Sequence, residues 1–156
     1  MTTLAAIFEH NRWANSVLLE ACRGLSADQL AASVLGTYGD LGSTLAHIAS
    51  GEVYYAGLLT RWRPSTGWQQ DDPFPGVDQL LEVVAETGAR LLAAAGSMSG
   101  DQLIERDPGE MIPAWVILLQ AVNHATEHRA HATTILTQLG IEPPLIDGWA
   151  HAGVRG

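Results

Sequence analysis

The sequence contains no lysine, and its eight basic residues are arginines that form no cluster along the chain. The formal net charge is −9 at pH 7. Proteins that bind nucleic acid gain much of their affinity by neutralising phosphates with grouped basic side chains. We therefore expect no nucleic-acid partner, and we interpret the acidic balance as a contribution to solubility.

Cysteine is almost as scarce, because Cys22 is the only one among the 156 residues. A single cysteine excludes a disulfide within the chain and a zinc site built from several cysteines. Cys22 lies near the end of an apolar helical segment, LLEACRGL. We interpret it as a small buried hydrophobic residue and not as a nucleophile.

Long apolar runs are absent as well. No stretch reaches the 18 consecutive apolar residues that mark a candidate membrane span. The N-terminal MTTLAAIFEHNRW also lacks the basic segment followed by an apolar one that marks a secretory signal. An apolar fraction of 47% fits a globular protein. We expect one cytoplasmic domain, residues 1–156, with no membrane partner.

Motifs of several enzyme classes are missing too. The sequence has no glycine-rich phosphate loop, no GxSxG elbow, and no paired carboxylates at a recognisable catalytic spacing. The histidines remain as the candidates for chemistry.

Apolar residues recur at helical spacing in four long segments, and no segment alternates as a strand would. The predicted helices are Thr2–Arg23, from Asp40 or Ser43 to about Trp62, Val77–Ala95, and from near Ile112 to Gly140. The segment from Gly96 to Gly109 is predicted to be a connection, and the loop from Pro64 to Gly76, flanked by Trp62 and Trp68, is expected to pack down. The pattern predicts an all-α four-helix bundle.

Three of the six histidines lie in one short segment of the last helix, VNHATEHRAHATTIL. His124, His128 and His131 follow one another at spacings of four and three, which places their imidazoles on one helix face. An i, i+4 histidine pair can bind one transition-metal ion, and bundles build metal sites from inward-facing residues. The alternative is a group of core histidines with ordinary hydrogen bonds. We favour a metal site.

A metal ion needs at least a third protein ligand, for which His47 and His131 are the candidates. His131 lies about 10 Å along the helix from His124, so both rings would have to bend toward His128. A ligand from a second helix causes less strain, which makes His47 the leading candidate. Gly51, one turn after His47, leaves room beside that ring at a cost in helix propensity of about 1 kcal/mol.

A catalytic metal site also needs a base or an orienting group. Glu52, His10, His131 and Glu127 are the candidates. His131 is favoured because it shares the face of the metal-binding pair, whereas Glu127 points away and is expected to face solvent or a partner chain.

Two asparagines, Asn11 and Asn15, interrupt the apolar face of the first helix. Buried amides need hydrogen-bond partners, so these residues should contact neighbouring helices or a ligand. Trp13, Tyr54 and Trp115 are candidates for the apolar wall of the site.

Four segments together resemble the DinB/YfiT-like family: NRWANSVLLEA, LAHI, NHATEHRAH and LTQLGIEPPLIDGWA. The resemblance covers essentially the whole chain. It implies an up-down-down-up order of helices, a homodimer, and a divalent metal ion held by three histidines, which here are His47, His124 and His128. His131 departs from the family pattern, which commonly has glutamine at that position.

The family includes transferases and isomerases that use low-molecular-weight thiols, together with members of unknown reaction. Three neutral histidines leave coordination positions open, as in catalytic zinc sites. We expect a metal-dependent thiol S-transferase or hydrolase that acts on a small molecule, with His131 assisting proton transfer. We expect the ion to be Zn, with Ni, Fe or Mn as alternatives. The alternative function is a non-catalytic bundle that binds a metal ion or small ligand.

Overall fold

The computed structural model describes residues 2–69 and 72–154 of the chain. Within these ranges the chain is mostly helical, with four long helices, two short ones and one pair of strands. The elements are α1 Thr3–Ala21, α2 Ala27–Leu30, α3 Leu41–Thr60, α4 Val77–Ser97, β1 Leu103–Asp107, β2 Glu110–Pro113, α5 Ala114–Gln138 and α6 Gly148–His151.

Side-chain caps determine where two of the long helices begin. Thr2 accepts a hydrogen bond from the Ala5 amide at 3.2 Å, and Asp40 accepts one from the Ser43 amide at 2.6 Å. Such caps satisfy amides that have no partner within the helix. Asp40, one of the two expected candidates, is therefore the cap of α3.

The four long helices pack around a core with two apolar clusters. α1 packs mainly against α4, and α3 packs against both α5 and α4. α1 and α5 run from the cluster that contains Phe8 and Ile117 toward the cluster that contains Leu18 and Ile135. α3 and α4 run in the opposite direction. This is the up-down-down-up order that the resemblance implies.

A polar layer lies between the two apolar clusters. Along α1, α4 and α5, the residues of this layer lie between residues of one apolar cluster and residues of the other. No residue of the layer is more than 5% exposed. The polar layer consists of Asn11 and Asn15 of α1, Glu52 of α3, Thr87 of α4 and Arg129 of α5.

Hydrogen bonds join the polar layer into one network. The Nδ2 groups of Asn11 and Asn15 donate to Glu52 Oε1 at 2.8 and 2.7 Å. The Thr87 hydroxyl lies 2.9 Å from Glu52 Oε2. Arg129 donates from one terminal nitrogen to the Oδ1 atoms of both asparagines, each at 2.7 Å. The prediction that the two asparagines need partners is thus confirmed, and the partners are charged.

Burial changes the proton affinity of both charged groups in the polar layer. Desolvation raises the pKa of Glu52 to about 7, although Thr87, Arg129 and the asparagines favour its carboxylate. Desolvation lowers the pKa of Arg129 to about 10, so the guanidinium stays charged at neutral pH. The Thr87 hydroxyl is also 3.0 Å from the Val83 carbonyl, to which it can donate while it accepts from a protonated Glu52. The network therefore accommodates both forms of Glu52.

The segment predicted to be a connection contains a β-hairpin, so the prediction of a chain without strands is wrong. β1 and β2 pair antiparallel, with Ile104 opposite Ile112. The turn between them includes Gly109, whose φ of 82° favours glycine. Because Ile112 and Pro113 still belong to β2, α5 begins at Ala114 and not near Ile112.

Two predictions about buried residues are confirmed. Cys22 is fully buried at the end of α1, and burial raises the pKa of its thiol to about 12. A thiol with such a pKa is a poor nucleophile at neutral pH. Trp68 is also buried, so the loop before α4 packs against the core as expected.

Among the residues that the structure describes, no helix combines the length and the apolar character needed to cross a membrane.

Replacement of Glu52 by glutamine should reveal the titration of this buried carboxyl. The folded state binds the Glu52 proton more tightly than the unfolded state, whose pKa is near 4.5. The contribution of Glu52 to stability therefore falls as pH rises from about 4.5 through about 7. The difference in free energy of unfolding between wild type and Glu52→Gln should change by up to about 3 kcal/mol over that range, to the disadvantage of wild type. Urea unfolding of the metal-free proteins measures it, and a difference independent of pH would contradict the assignment.

Candidate metal centre

Two helices bring three histidines together. His47 lies on α3, and His124 and His128 lie one turn apart on α5, which packs against α3. Each residue offers one ring nitrogen, and the three nitrogens lie within 4.8 Å of one another. We call these residues the histidine cluster. Such a group could hold a metal ion.

The distance between the His47 and His124 nitrogens is compatible with a direct hydrogen bond and also with ligation of one shared metal ion. The Nε2 atoms of His47 and His124 lie 3.0 Å apart, which is the length of a hydrogen bond between imidazoles. Two nitrogens bound to one zinc ion at about 2.0–2.1 Å also lie about 3 Å apart when the bonds meet near a right angle. The His128 ring, with its centroid 4.5 Å from those of both other rings, faces the same region. A pairwise hydrogen bond has no need of this third ring.

The histidine cluster favours uncharged imidazoles. Desolvation, followed by the proximity of His128 and His47, lowers the pKa of His124 to about 4. Desolvation also lowers the pKa values of His47 and His128. Because metals bind the neutral ring, the cluster holds its histidines in the form that ligates at neutral pH.

Several ring nitrogens in this region have no hydrogen-bond partner among the described residues. The Nδ1 atoms of His47, His124 and His128 are buried and unpartnered, as is that of the neighbouring His131. Buried polar atoms without partners are destabilising. The atoms that approach each other at 3.0 Å are instead the Nε2 atoms of His47 and His124, so an ion between these two rings would leave the Nδ1 atoms in need of other partners. What fits a metal ion is the set of three convergent imidazoles from two helices.

The space at Gly51 is used by the His124 ring and not by the His47 ring, for which it was predicted. A Cβ atom at residue 51 would lie 2.6 Å from His124 Nδ1 and would overlap the ring carbon next to it. The backbone of α3 therefore approaches the His124 ring closely. The prediction that space is needed at Gly51 was sound, but the ring that uses it belongs to the facing helix.

Tyr38 is a residue of this region that the sequence analysis did not select. Its ring stacks on His47, with centroids 3.9 Å apart and planes at 12°, and it meets His128 edge-on at 5.0 Å. It lies in the turn that precedes α3, between Gly36 and Gly39, both with φ near 90°. An aromatic residue between two glycines just before a helix cap was the available signal.

His131 lies next to the histidine cluster but outside the set that shares one ligand point. Its ring meets His128 edge-on, with centroids 5.2 Å apart. Of the two candidates for third ligand, the structure brings His47 into the group and leaves His131 beside it. The assignment of His131 as a catalytic group stays a prediction.

The other base candidates have different surroundings. Glu52 belongs to the polar layer, and His10 donates from Nε2 to the Ile146 carbonyl at 2.9 Å. Glu127 is exposed, as expected, and its charge acts on His128 from outside. No described hydrogen bond joins these three side chains to the histidine cluster.

The expected aromatic wall is mostly elsewhere. The Trp13 ring packs against His151 and His10, and Trp115 is half exposed at the start of α5. Tyr54 lines a cavity of about 340 Å³ together with Tyr55, whose ring meets His124 edge-on at 5.7 Å. None of the three predicted wall residues has a described contact with the cluster, and Tyr54 is linked to it only through the Tyr55 ring.

A second cavity, of about 280 Å³, opens directly beside the cluster. His47 and Tyr38 form part of its wall, together with Ser50, Asp72 and Phe74. A small molecule in this cavity would have direct access to His47.

Comparison with known proteins identifies the family. The model of the DinB family matches residues 1–153. The chain belongs to the DinB family. The crystal structure of a DinB-like protein from Bacillus cereus superposes with a TM-score of 0.64 at 16% identity, covering 87% of this chain and 90% of that one. At this identity the likeness concerns the fold alone. No curated protein matches the sequence.

Alanine at residue 51 should test the close approach between α3 and His124. Alanine favours helix by about 1 kcal/mol over glycine, but at this position its Cβ would displace the His124 ring. We expect Gly51→Ala to destabilise the metal-free protein by about 1 to 3 kcal/mol in urea unfolding. Gly96→Ala on α4 is the matched control, because a Cβ there meets nothing within 4 Å. Equal stabilisation by both changes would contradict the contact.

Proposed function

We propose that this DinB-family protein is a four-helix bundle that binds a divalent metal ion through His47, His124 and His128. Zn²⁺ is the first candidate, with Ni, Fe and Mn as alternatives, since all accept imidazole ligands. One observation carries the proposal: three nitrogens from two helices approach within 4.8 Å of one another. The lowered pKa values of the three rings support it.

We further propose that the protein is a metal-dependent enzyme, either a low-molecular-weight thiol S-transferase or a hydrolase. A bound divalent ion supplies Lewis acidity, which lowers the pKa of a thiol or a water and makes it a nucleophile at neutral pH. The chain holds His47 between Tyr38 and the other two histidines, which fixes the ring. The cavity beside His47 offers space for a small electrophile.

His131 is our candidate for proton transfer. Its ring is half-buried, contacts His128 edge-on, and has a buried Nδ1 without a partner among the described residues. An imidazole at this position could take the proton of the incoming nucleophile and pass it on.

A non-catalytic role is the second candidate. The 3.0 Å contact between His47 and His124 would be a stable hydrogen bond if one ring donates and the other accepts. The protein would then be a bundle whose histidines bind a metal or small ligand without turnover.

We also propose a homodimer. Exposed apolar side chains occur on α5, where Trp115 and Leu119 are each about half exposed, and on the neighbouring hairpin at Met111. Burial of such side chains between two chains would be favourable. Light scattering at micromolar concentration should report twice the mass of one chain, and a mass of one chain would contradict the dimer.

Removal of one cluster histidine should abolish tight metal binding. His47→Ala and His124→Ala are each expected to weaken Zn²⁺ binding by at least about a hundredfold, because a two-ligand site is much weaker than a three-ligand one. His151→Ala is the control, because His151 packs with Trp13 and does not belong to the group of convergent nitrogens. Elemental analysis and competition with a chromogenic chelator, on protein without a histidine tag, measure the effect. Equal metal content in all variants would refute the proposed site.

Activity should depend on both the metal and His131. We expect turnover of a low-molecular-weight thiol with an electrophilic acceptor, or hydrolysis of an ester, that disappears on chelation and returns with one divalent metal. His131→Gln should retain metal content but shift the pH profile, because the proton acceptor is lost. Metal-loaded protein without turnover across a panel of electrophiles and esters would leave the non-catalytic role.

A further inference from the structure

A cavity of about 600 Å³ lies on the face of α5 opposite the histidine cluster. Along α5 it is lined by Thr126, Ala130 and Thr133, each two residues after one of the histidines 124, 128 and 131. Two residues correspond to about 200° around a helix, so the cavity and the histidines are on opposite faces. Small-molecule sites commonly have volumes of roughly 300–1,000 Å³. The cavity has the size of a ligand site and shares no residue with the histidine cluster.

The outer wall of this cavity is the segment from Glu142 to Asp147, and several contacts fix it in place. His10 of α1 donates to the Ile146 carbonyl at 2.9 Å. Asp147 caps α6, with its Oδ1 accepting from the Trp149 and Ala150 amides, both at 2.9 Å. The two prolines in the segment restrict its backbone further. The cavity is therefore preformed and does not depend on an unattached tail.

Arg129 supplies a positive charge to the cavity wall. It is 5% exposed, and its described hydrogen bonds go to Asn11, Asn15 and Thr126. A guanidinium has five N–H donors, so two remain beyond these three bonds. No carboxylate among the described residues forms a direct ion pair with it, because the asparagines stand between Arg129 and Glu52. A carboxylate in the cavity would gain a charge-assisted hydrogen bond from a guanidinium that is itself buried.

The rest of the wall presents hydrogen-bond acceptors. The Thr133 and Thr134 hydroxyls donate to the Ala130 carbonyl at 3.0 and 2.8 Å, and Thr137 donates to the Thr133 carbonyl at 2.9 Å. Each hydroxyl thus donates its proton to a carbonyl of the helix, and its oxygen lone pairs remain available to accept from a ligand. The carboxylate of Glu142 adds negative charge at the rim. These groups match a ligand rich in N–H donors.

We propose that this cavity binds a small zwitterion, with its carboxylate on Arg129 and its ammonium group toward the threonine oxygens and Glu142. A free α-amino acid is the simplest molecule of that class. The site is independent of the proposed metal and of any reaction at the histidine cluster.

Individual L-amino acids at millimolar concentration are the probes. Those that raise the unfolding temperature are then titrated by calorimetry. At least one should bind, while its methyl ester and its N-acetyl derivative should bind at least about tenfold more weakly, because each lacks one of the two charges. The ester tests the role of Arg129 and leaves the polar layer unchanged. A substitution of Arg129 would disturb that layer and could unfold the protein. If no amino acid binds, or if the ester binds as tightly as the acid, the proposal is wrong.

Two variants locate the site. Thr133→Val and Glu142→Gln should each weaken binding several-fold. Thr60→Val is the control for the first, because Thr60 makes the same type of bond to the Ala56 carbonyl on α3. Glu82→Gln on the exposed side of α4 is the control for the second. Binding should persist in the presence of a metal chelator. Loss of binding with chelator, or equal affinity in all four variants, would place the ligand elsewhere and overturn the proposal.

Discussion

Asn11 and Asn15 stand between a buried carboxylate and a buried guanidinium, and each amide serves both charges at once. The Nδ2 groups donate to Glu52 and the Oδ1 atoms accept from Arg129. Removing either asparagine would take a hydrogen-bond partner from both buried charges, and poorly compensated buried charges are among the most destabilising features of a protein interior. A shift of α3 or α5 by one residue along its axis would have the same effect. The polar layer therefore defines the register of these helices against α1.

That register bears directly on the histidine cluster. Glu52 follows Gly51, the residue against which the His124 ring lies, and Arg129 follows His128. The polar layer thus holds α5 at the residue next to His128, and it holds α3 at the residue next to the glycine that His124 packs against. Apolar side chains alone pack with less positional selectivity, because cores tolerate volume-conserving exchanges. A network of directed hydrogen bonds does not tolerate them, and rigid support of this kind is what a metal site requires.

Two opposite faces of α5 carry the two candidate sites. One face carries the neutral imidazoles of the cluster, and the other carries threonines along the cavity beneath the C-terminal segment. Arg129 lies at the boundary, since it is both a member of the polar layer and part of the cavity wall. Its charge is distributed over two asparagines and a threonine. This explains how a cation can stay buried in the core without a carboxylate in direct contact.

The sequence alone determined what depends on spacing within one segment. The four long helices, the shared face of His124 and His128, and the need of Asn11 for a partner all follow from helical periodicity and the cost of burying polar atoms. His47 was chosen over His131 because a helix is too stiff to bring residues seven apart to one point, and a motif resemblance agreed. Tertiary structure decided the rest. The hairpin was missed because LIERD has no clean alternation and its strands are short. The ring that occupies the space at Gly51, the stacking of Tyr38 on His47, and the meeting of Glu52 with Arg129 through α1 depend on how each helix is rotated about its axis. That rotation follows from the packing of all four helices together, which no local pattern encodes.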